Sequence, residues 1–195
     1  MVNTVKKKCR PACSRRIRYC PELLALVRDW VEREITFVDH PAFSVSDAAA
    51  RLQKQRPASL DEPAKPAGSE PGLAFVSGMV DAPLLTPDEE VYLFTWMNFL
   101  KYRADQLRQR LDLNCPDGSL VDRIEADLHE AVAVRNRIVA SNMRLVVALA
   151  GKLADGVDEM SELISEATVP LFRAVTVNVT VSPTFGRGLL TLLRT

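Results

Sequence analysis

The side chains that could act chemically are few in this 195-residue chain, which has four cysteines and two histidines. Cys9, Cys13 and Cys20 lie close together near the N-terminus and raise the question of a zinc site. Structural zinc sites usually contain a paired Cys-x-x-Cys. That pair is missing here, and the nearest histidine is His40. The spacing favours unconstrained, reduced thiols on a loose arm. We therefore expect neither a metal nor a cofactor.

The sequence contains no catalytic constellation. His40 and His129 are far apart, and His129 stands among charged residues, where a solvated helix face is the expected environment. The glycine-rich phosphate motifs and the His-Glu-x-x-His zinc motif are absent. A concentration of carboxylates remains, largely at i, i+4 spacing: Asp158, Glu159, Glu162 and Glu166. Two interpretations stay open, a solvated acidic face or a face that meets a basic partner. We predict a protein that binds, without enzymatic activity or a small-molecule substrate.

Charge is balanced overall but unevenly distributed. The 25 Lys+Arg equal the 25 Asp+Glu, so net charge does not argue for nucleic acid. Residues 1–20 nevertheless hold seven cations and no acid, whereas residues 81–130 lean acidic. Such an arm is either a solvated, disordered tail or a segment that works beside nucleic acid. The weak candidates for DNA binding are Lys6, Lys7, Lys8, Arg10, Arg15, Arg16 and Arg18.

No stretch approaches the ~20 apolar residues of a membrane span. The basic N-terminus also lacks the apolar region of a signal peptide. These features predict a cytoplasmic protein with no membrane partner.

Apolar spacing and cap residues predict the helices that must position any binding surface. Residues 21–35 form a first helix opened by Pro21, and residues 46–55 form a short one capped by Ser46 or Asp47. The Pro/Gly-rich stretch that follows is typical of a linker. We expect four segments: a basic arm with one or two short helices (1–55), a linker (56–82), a helical domain (83–175) and an irregular tail (176–195).

The helical domain begins with a strong start signal. Thr86 suits the N-cap, Pro87 the first helical position and Glu89 the third, which predicts a capping box. This helix should run to about Leu111 and stop before a turn at residues 115–118. The pattern predicts that the chain then reverses into a second helix.

Ser119 is expected to cap a helix of thirty-odd residues that lies antiparallel to the first. It should end at Asp155-Gly156, and a shorter helix should follow from Val157 or Asp158. The predicted fold is therefore all-α: a helical bundle with a long antiparallel pair, a shorter docking helix, a flexible arm and linker, and an irregular tail.

Three motifs in this domain, in order, resemble the bacterial sigma-70 family of RNA polymerase sigma factors. Residues 83–90 (PLLTPDEE) resemble the Leu-Thr-x-Glu-Glu-Glu opening of its first conserved helix. Residues 137–150 (RIVASNMRLVVALA) resemble its Asn-Leu-Arg-Leu-Val-Val run. Glu162–Glu166 and then Leu171–Val175 resemble its Asp-Leu-Ile-x-Glu helix. The stretch between the first two motifs is similar to a planctomycete-type variant.

The resemblance implies a factor that binds core RNA polymerase and promoter DNA to start transcription. In that family the helix matching 162–175 docks on the clamp helices of the polymerase β′ subunit, and the helix matching 137–150 packs beneath it. The polymerase-binding residues implied here are Asn142, Arg144, Glu162, Leu163, Ile164, Glu166, Leu171, Phe172 and Arg173.

The chain departs from the family pattern inside the docking helix. The family's Gly-Asn is Ala167-Thr168 here, and a following Gly is Pro170. A proline inside a helix removes one hydrogen bond and clashes with the preceding turn. We therefore expect a kink or an early end near Thr168.

A larger departure follows Val175. The family's aromatic segment captures flipped promoter bases, yet Phe185 is the only aromatic residue in 176–195, and the run 176–181 is strand-like. A frameshift or truncation is one hypothesis, and reading the other two DNA frames past codon 175 tests it. The alternative function is a polymerase-binding competitor or decoy that does not initiate transcription.

Overall fold

The structure, a computed structural model, describes residues 21–61 and 82–177. Within these ranges the chain forms α-helices and two short 3-10 helices, and no strand. The α-helices are α1 (Pro21–Glu32), α2 (Ala48–Lys54), α3 (Pro87–Arg108), α4 (Gly118–Leu153) and α5 (Val157–Val177). The all-α prediction is confirmed. The predictions for the cysteine-containing basic arm with its candidate DNA-binding cations, for most of the linker and for most of the tail lie outside the described residues. The first two residues of the predicted tail, 176–177, are helical and belong to α5.

Helix α3 begins as its sequence predicts. The backbone N–H of Glu89 donates to Thr86 Oγ1 (3.3 Å), and Glu89 Oε2 accepts from the Thr86 N–H (2.6 Å). Pro87 follows the cap, so the capping box is complete. The helix ends at Arg108, three residues before the predicted Leu111, because the next residues follow in tighter turns: the N–H groups of Arg110 and Leu111 donate to the carbonyls of Leu107 and Arg108.

Helix α4 has 36 residues and is about 54 Å long at ~1.5 Å per residue. Its cap is Asp117, not the predicted Ser119, because the helix already begins at Gly118. Asp117 Oδ1 accepts from both the backbone N–H (2.9 Å) and the hydroxyl (2.7 Å) of Ser119. A carboxylate is well placed there, since a helix N-terminus favours negative charge.

The long antiparallel pair is formed by α3 and α4. Trp96 bonds Glu130, whereas Arg103, further along α3, bonds the earlier Asp127. Between and around the pair lies the main core, whose most buried side chains include Leu100, Ile138 and the α5 residues Leu171 and Val175. A smaller core joins α1 to the far end of the pair through Val27, Trp30, Ala104, Leu107, Val121 and Ile124.

The N-terminal elements differ in detail from the sequence predictions. Helix α1 ends at Glu32 rather than near residue 35, and α2 begins only at Ala48. Asp47 holds the N-cap position without a capping bond, because its carboxylate accepts from the Arg51 guanidinium (2.7 Å) instead. The shorter α2 is therefore stabilised by an exposed i, i+4 pair.

Residues 58–61, predicted as linker, instead form a 3-10 helix that packs on the long pair. Leu60 is buried in the main core, and its carbonyl accepts from Arg137 Nη2 (2.9 Å). The Ser59 hydroxyl donates to Glu89 Oε1 (2.5 Å). One buried leucine and two polar contacts hold this segment against the body, although its composition is that of a linker.

Helix α5 starts at Val157 as predicted and continues through Pro170 to Val177, so the predicted early end is wrong. Pro170 cannot donate to the Glu166 carbonyl. Both residues are exposed, so water can hydrate that carbonyl. Leu171 and Val175, each 0% exposed, hold the last turns in the core. None of the described helices combines the length and apolar content that crossing a bilayer requires.

Candidate docking surface

A groove runs between the C-terminal half of α4 and the facing side of α5. Its volume is about 210 Å³. Eight residues line it: Val146, Leu149, Ala150, Leu153, Leu163, Glu166, Ala167 and Pro170. Glu166 is the single charged residue among them, so the groove is an apolar surface with an acidic edge.

Helical periodicity explains why these residues share one groove. Val146, Ala150 and Leu153 recur at i, i+4 and i+7 on α4, as Leu163, Ala167 and Pro170 do on α5. Each helix therefore contributes one stripe. Two of the lining positions carry alanine, whose small side chain leaves space that a leucine would fill.

Large apolar side chains remain exposed around the tip of this helical hairpin. Leu153 is 61% and Val157 70% exposed. Isolated exposed leucines or valines are ordinary, but Leu153 lines a groove that is itself apolar, and Val157 begins the helix on the other side of the turn. A contiguous apolar surface of this kind is typical of a protein contact.

The outer side of α5 is acidic. Asp158, Glu159, Glu162 and Glu166 are all exposed. Glu159 has a local role, because its Oε2 accepts from the Asp155 N–H (2.8 Å) and braces the turn. No salt bridge of the described residues involves α5. The negative charge of these carboxylates is therefore not neutralised by a salt bridge within the described residues. A face that binds a basic partner needs such available charge.

Three residues predicted to contact the polymerase are buried in the protein itself. Ile164 is 3%, Leu171 0% and Asn142 8% exposed. Ile164 and Leu171 belong to the main core, where the α5 stripe packs on the long pair. They cannot also form an exposed docking surface, so their assignment as contact residues is corrected to core packing.

Asn142 has a structural role that joins two of the sequence motifs. Its Nδ2 donates to the Ile138 carbonyl (2.9 Å). Burial raises the pKa of Glu90, and a hydrogen bond from the Asn142 side chain opposes that rise. The two side chains therefore connect the first turn of α3 to the middle of α4.

The other predicted residues are accessible but do not share one surface. Leu163 and Glu166 line the groove. Glu162 and Arg173 are exposed on α5, and Arg144 on α4 is half-buried. Phe172 is 37% exposed.

Phe172 lies away from the groove. At ~100° per residue it is rotated by about 200° from the groove-lining Pro170. It contacts Arg135 of α4, whose guanidinium carbon lies 5.5 Å from the ring centroid. The predicted docking residues thus divide between two flanks of α5.

Leu149, Leu153, Ala167 and Pro170 line the groove but were not predicted as contact residues. Their signal in the sequence is an apolar stripe. Periodicity alone does not distinguish such a stripe from ordinary core packing. Ala167 and Pro170 stood out only as departures from the family pattern.

Comparisons with known protein families, curated proteins and solved structures found no match to this chain. Within the described ranges, no group of three or more Asp, Glu, His or Cys side chains is arranged to hold a metal ion.

Proposed function

We propose that this protein is a sigma-70-like transcription factor of the cytoplasm that binds core RNA polymerase through the α4–α5 groove. The observation that carries the proposal is the groove itself, an apolar cleft between two helices that ends in exposed Leu153 and Val157. Its action is non-enzymatic: it holds the polymerase and places promoter DNA beside it.

The chemistry of the groove suits a helical partner. A helix that inserts apolar side chains into a groove between two helices is a recurrent mode of recognition. Glu166 on the groove and Glu162 nearby supply a negative rim. Such a rim favours a partner helix that carries basic residues around its apolar face and accelerates its approach.

The contacts between the motifs support the resemblance. The α3 opening reaches the Asn-x-Arg-Leu-Val-Val run through Glu90 and Asn142. The same run contacts α5 through Met143, whose Sδ lies 4.0 Å from Oγ1 of Thr168. Residues that resemble three separate family motifs therefore pack on one another, as expected if they were selected as one unit.

A competitor that occupies the polymerase without starting transcription is the second candidate. The observation that favours it is the composition of residues 176–195, where Phe185 is the only aromatic residue. The stacking platform that the family uses to capture promoter bases has no counterpart there.

The test of the groove is a pair of matched substitutions at exposed leucines. Leu153→Asp places a charge at the end of the groove, and Leu113→Asp does the same in the α3–α4 turn, where Leu113 is 41% exposed. We expect Leu153→Asp to weaken binding to purified core polymerase roughly tenfold or more, as loss of an interface hot spot does. Leu113→Asp should bind like the wild type.

If the two variants bound core polymerase with equal affinity, the groove would not be the binding site. If the wild-type protein did not bind core polymerase, the proposal that it is a polymerase-binding protein would be wrong. An abortive-initiation assay with core polymerase and promoter DNA then separates the two candidates. Short transcripts indicate a sigma factor, whereas binding with inhibition of a competing sigma factor indicates a decoy.

A further inference from the structure

A second surface lies on the flank of α5 that faces away from the groove. It consists of Lys101 from α3, Arg135 from α4 and Phe172 from α5. Lys101 and Arg135 are half-buried, and Phe172 is 37% exposed. We call this three-helix surface the cationic patch.

The cations of the patch lack a carboxylate partner. No salt bridge in the described part of the chain includes Lys101 or Arg135. Within residues 21–61 and 82–177, the guanidinium of Arg135 donates to one acceptor, the amide oxygen of its neighbour Asn136 (3.2 and 3.4 Å). Burial lowers the pKa of Lys101, and the positive charge of Arg135 lowers it further. Two like charges held together at a partly desolvated site favour an incoming anion.

The aromatic residue of the patch is held in place by one of these cations. The Arg135 guanidinium lies over the Phe172 ring. A cation on an aromatic face contributes about 0.5–1 kcal/mol at an exposed site. The ring is thus positioned beside the two charges while more than a third of the residue stays accessible. Phenylalanine and arginine are both enriched at protein interfaces.

We propose that the cationic patch binds an acidic protein segment that presents an apolar side chain next to its carboxylates. Arg135 and Lys101 each receive a carboxylate, and the apolar side chain packs on Phe172. A nucleic-acid strand fits the patch less well. Only two cations would meet its phosphates, whereas nucleic-acid sites usually neutralise several.

This site differs from the groove in its position and in the charge it selects. The groove has an acidic edge and suits a basic helix, whereas the patch suits an acidic segment. A single partner that touches both flanks of α5 must therefore present both charges. The inference itself does not depend on polymerase binding.

The experiment uses the full, isotope-labelled chain in solution and two probes observed by NMR. One probe is a 14-residue peptide that repeats Leu-Glu-Glu-Ala, and the other is a 14-nucleotide oligothymidylate. We expect the peptide to shift the amide signals around Lys101, Arg135 and Phe172. The oligonucleotide should neither shift these signals nor displace the peptide.

Substitutions make the test specific. The double change Lys101→Gln and Arg135→Gln should raise the peptide Kd roughly fivefold, because two charge contacts of ordinary strength are lost. Phe172→Ala should also weaken binding, without any change in charge. The matched control is Lys152→Gln, an exposed cation on α4 about 25 Å from Arg135 along the helix. It should leave the Kd unchanged.

Three results would overturn the inference. The first is an absence of shifts at the patch with the peptide. The second is tighter binding of the oligonucleotide to the same signals, which would make the patch a nucleic-acid site. The third is an equal loss for Lys152→Gln and the double variant, which would show only general charge attraction.

Discussion

Helix α4 makes two interfaces that differ in chemistry. Toward α3 it adds polar pairs to the apolar core: Trp96 Nε1 donates to Glu130 (2.8 Å), and Arg103 forms a two-point ion pair with Asp127 (2.5 and 2.8 Å). Toward α5 its contacts among the described residues are mainly apolar, with the Arg135–Phe172 cation–π contact and the weak approach of Thr168 to Met143 beside them. Directional bonds fix the register of α3 on α4. The apolar stripes of α4 and α5 pack on each other along one side only, and the side that stays open forms the groove.

The largest expected effect tests whether α5 is anchored as firmly as α3. Leu171 in α5 and Leu100 in α3 are both 0% exposed. Truncating a fully buried leucine costs about 2–5 kcal/mol, from lost burial and the cavity left behind. We expect Leu171→Ala and Leu100→Ala to lower the free energy of unfolding in urea by similar amounts in this range.

A loss below about 0.5 kcal/mol for Leu171→Ala alone would contradict this picture, since surface substitutions behave that way. Helix α5 would then be only loosely attached, and Leu171 would again be available to a partner. Helicity measured by circular dichroism distinguishes a locally unfolded α5 from a uniformly weakened protein.

A smaller effect is expected from the polar side of α4. The Asp127 side chain is only 10% exposed, and Arg103 is its ion-pair partner. Arg103→Ala leaves a largely buried carboxylate without its guanidinium, and we expect a loss of about 2 kcal/mol in the free energy of unfolding.

The matched double variant separates the pair from its packing. Adding Asp127→Asn to Arg103→Ala removes the unpaired charge, so part of the lost stability should return. Additive losses in the double-mutant cycle would mean that the two side chains do not interact in solution.

The smallest effect concerns Glu90, in the first turn of α3, which faces Asn142 of α4. Burial raises its pKa in the folded protein, so the folded state disfavours the ionised form. This group therefore stabilises the fold more at low pH, and its contribution is lost as pH rises through the folded pKa. At neutral pH we expect Glu90→Gln to raise the free energy of unfolding by roughly a few tenths of a kcal/mol, because the site is partly solvated.

The gain from Glu90→Gln should disappear in acid, below the usual pKa of a glutamate. Urea unfolding at two pH values measures this, with wild type and variant side by side. A variant less stable than the wild type at neutral pH would mean that the Glu90 charge is favourable in the fold, which is the opposite of the effect expected from burial.

Locally encoded features were predictable from the sequence. The Thr86–Glu89 capping box and the start of α5 at Val157 depend on neighbours within a few residues, and both predictions are confirmed. The turn predicted at residues 115–118 lies slightly earlier, at residues 112–115, because α4 already begins at Gly118. The cap of α4 was misplaced by two residues, because Asp117 and Ser119 are both good caps and only the backbone geometry decides between them.

Features that depend on distant contacts were not predictable. Leu60 is buried despite its proline-rich surroundings, because it meets helices that follow much later in the chain. Helix α5 passes through Pro170, because core packing outweighs an unfavourable local residue. The groove was missed for the same reason, since periodicity shows a stripe but not which part of it a neighbour leaves uncovered.

The contact between Arg137 and Leu60 has a consequence for the order of folding. The bond joins residues 77 positions apart, whereas α3, α4 and α5 follow one another through short turns. Local contacts form quickly, and closing a long loop costs entropy before any contact compensates for it. We expect the three-helix body to assemble first and the 3-10 helix at residues 58–61 to attach last. The same segment should detach first when the protein begins to open, and a protease should cut there before it reaches the helices.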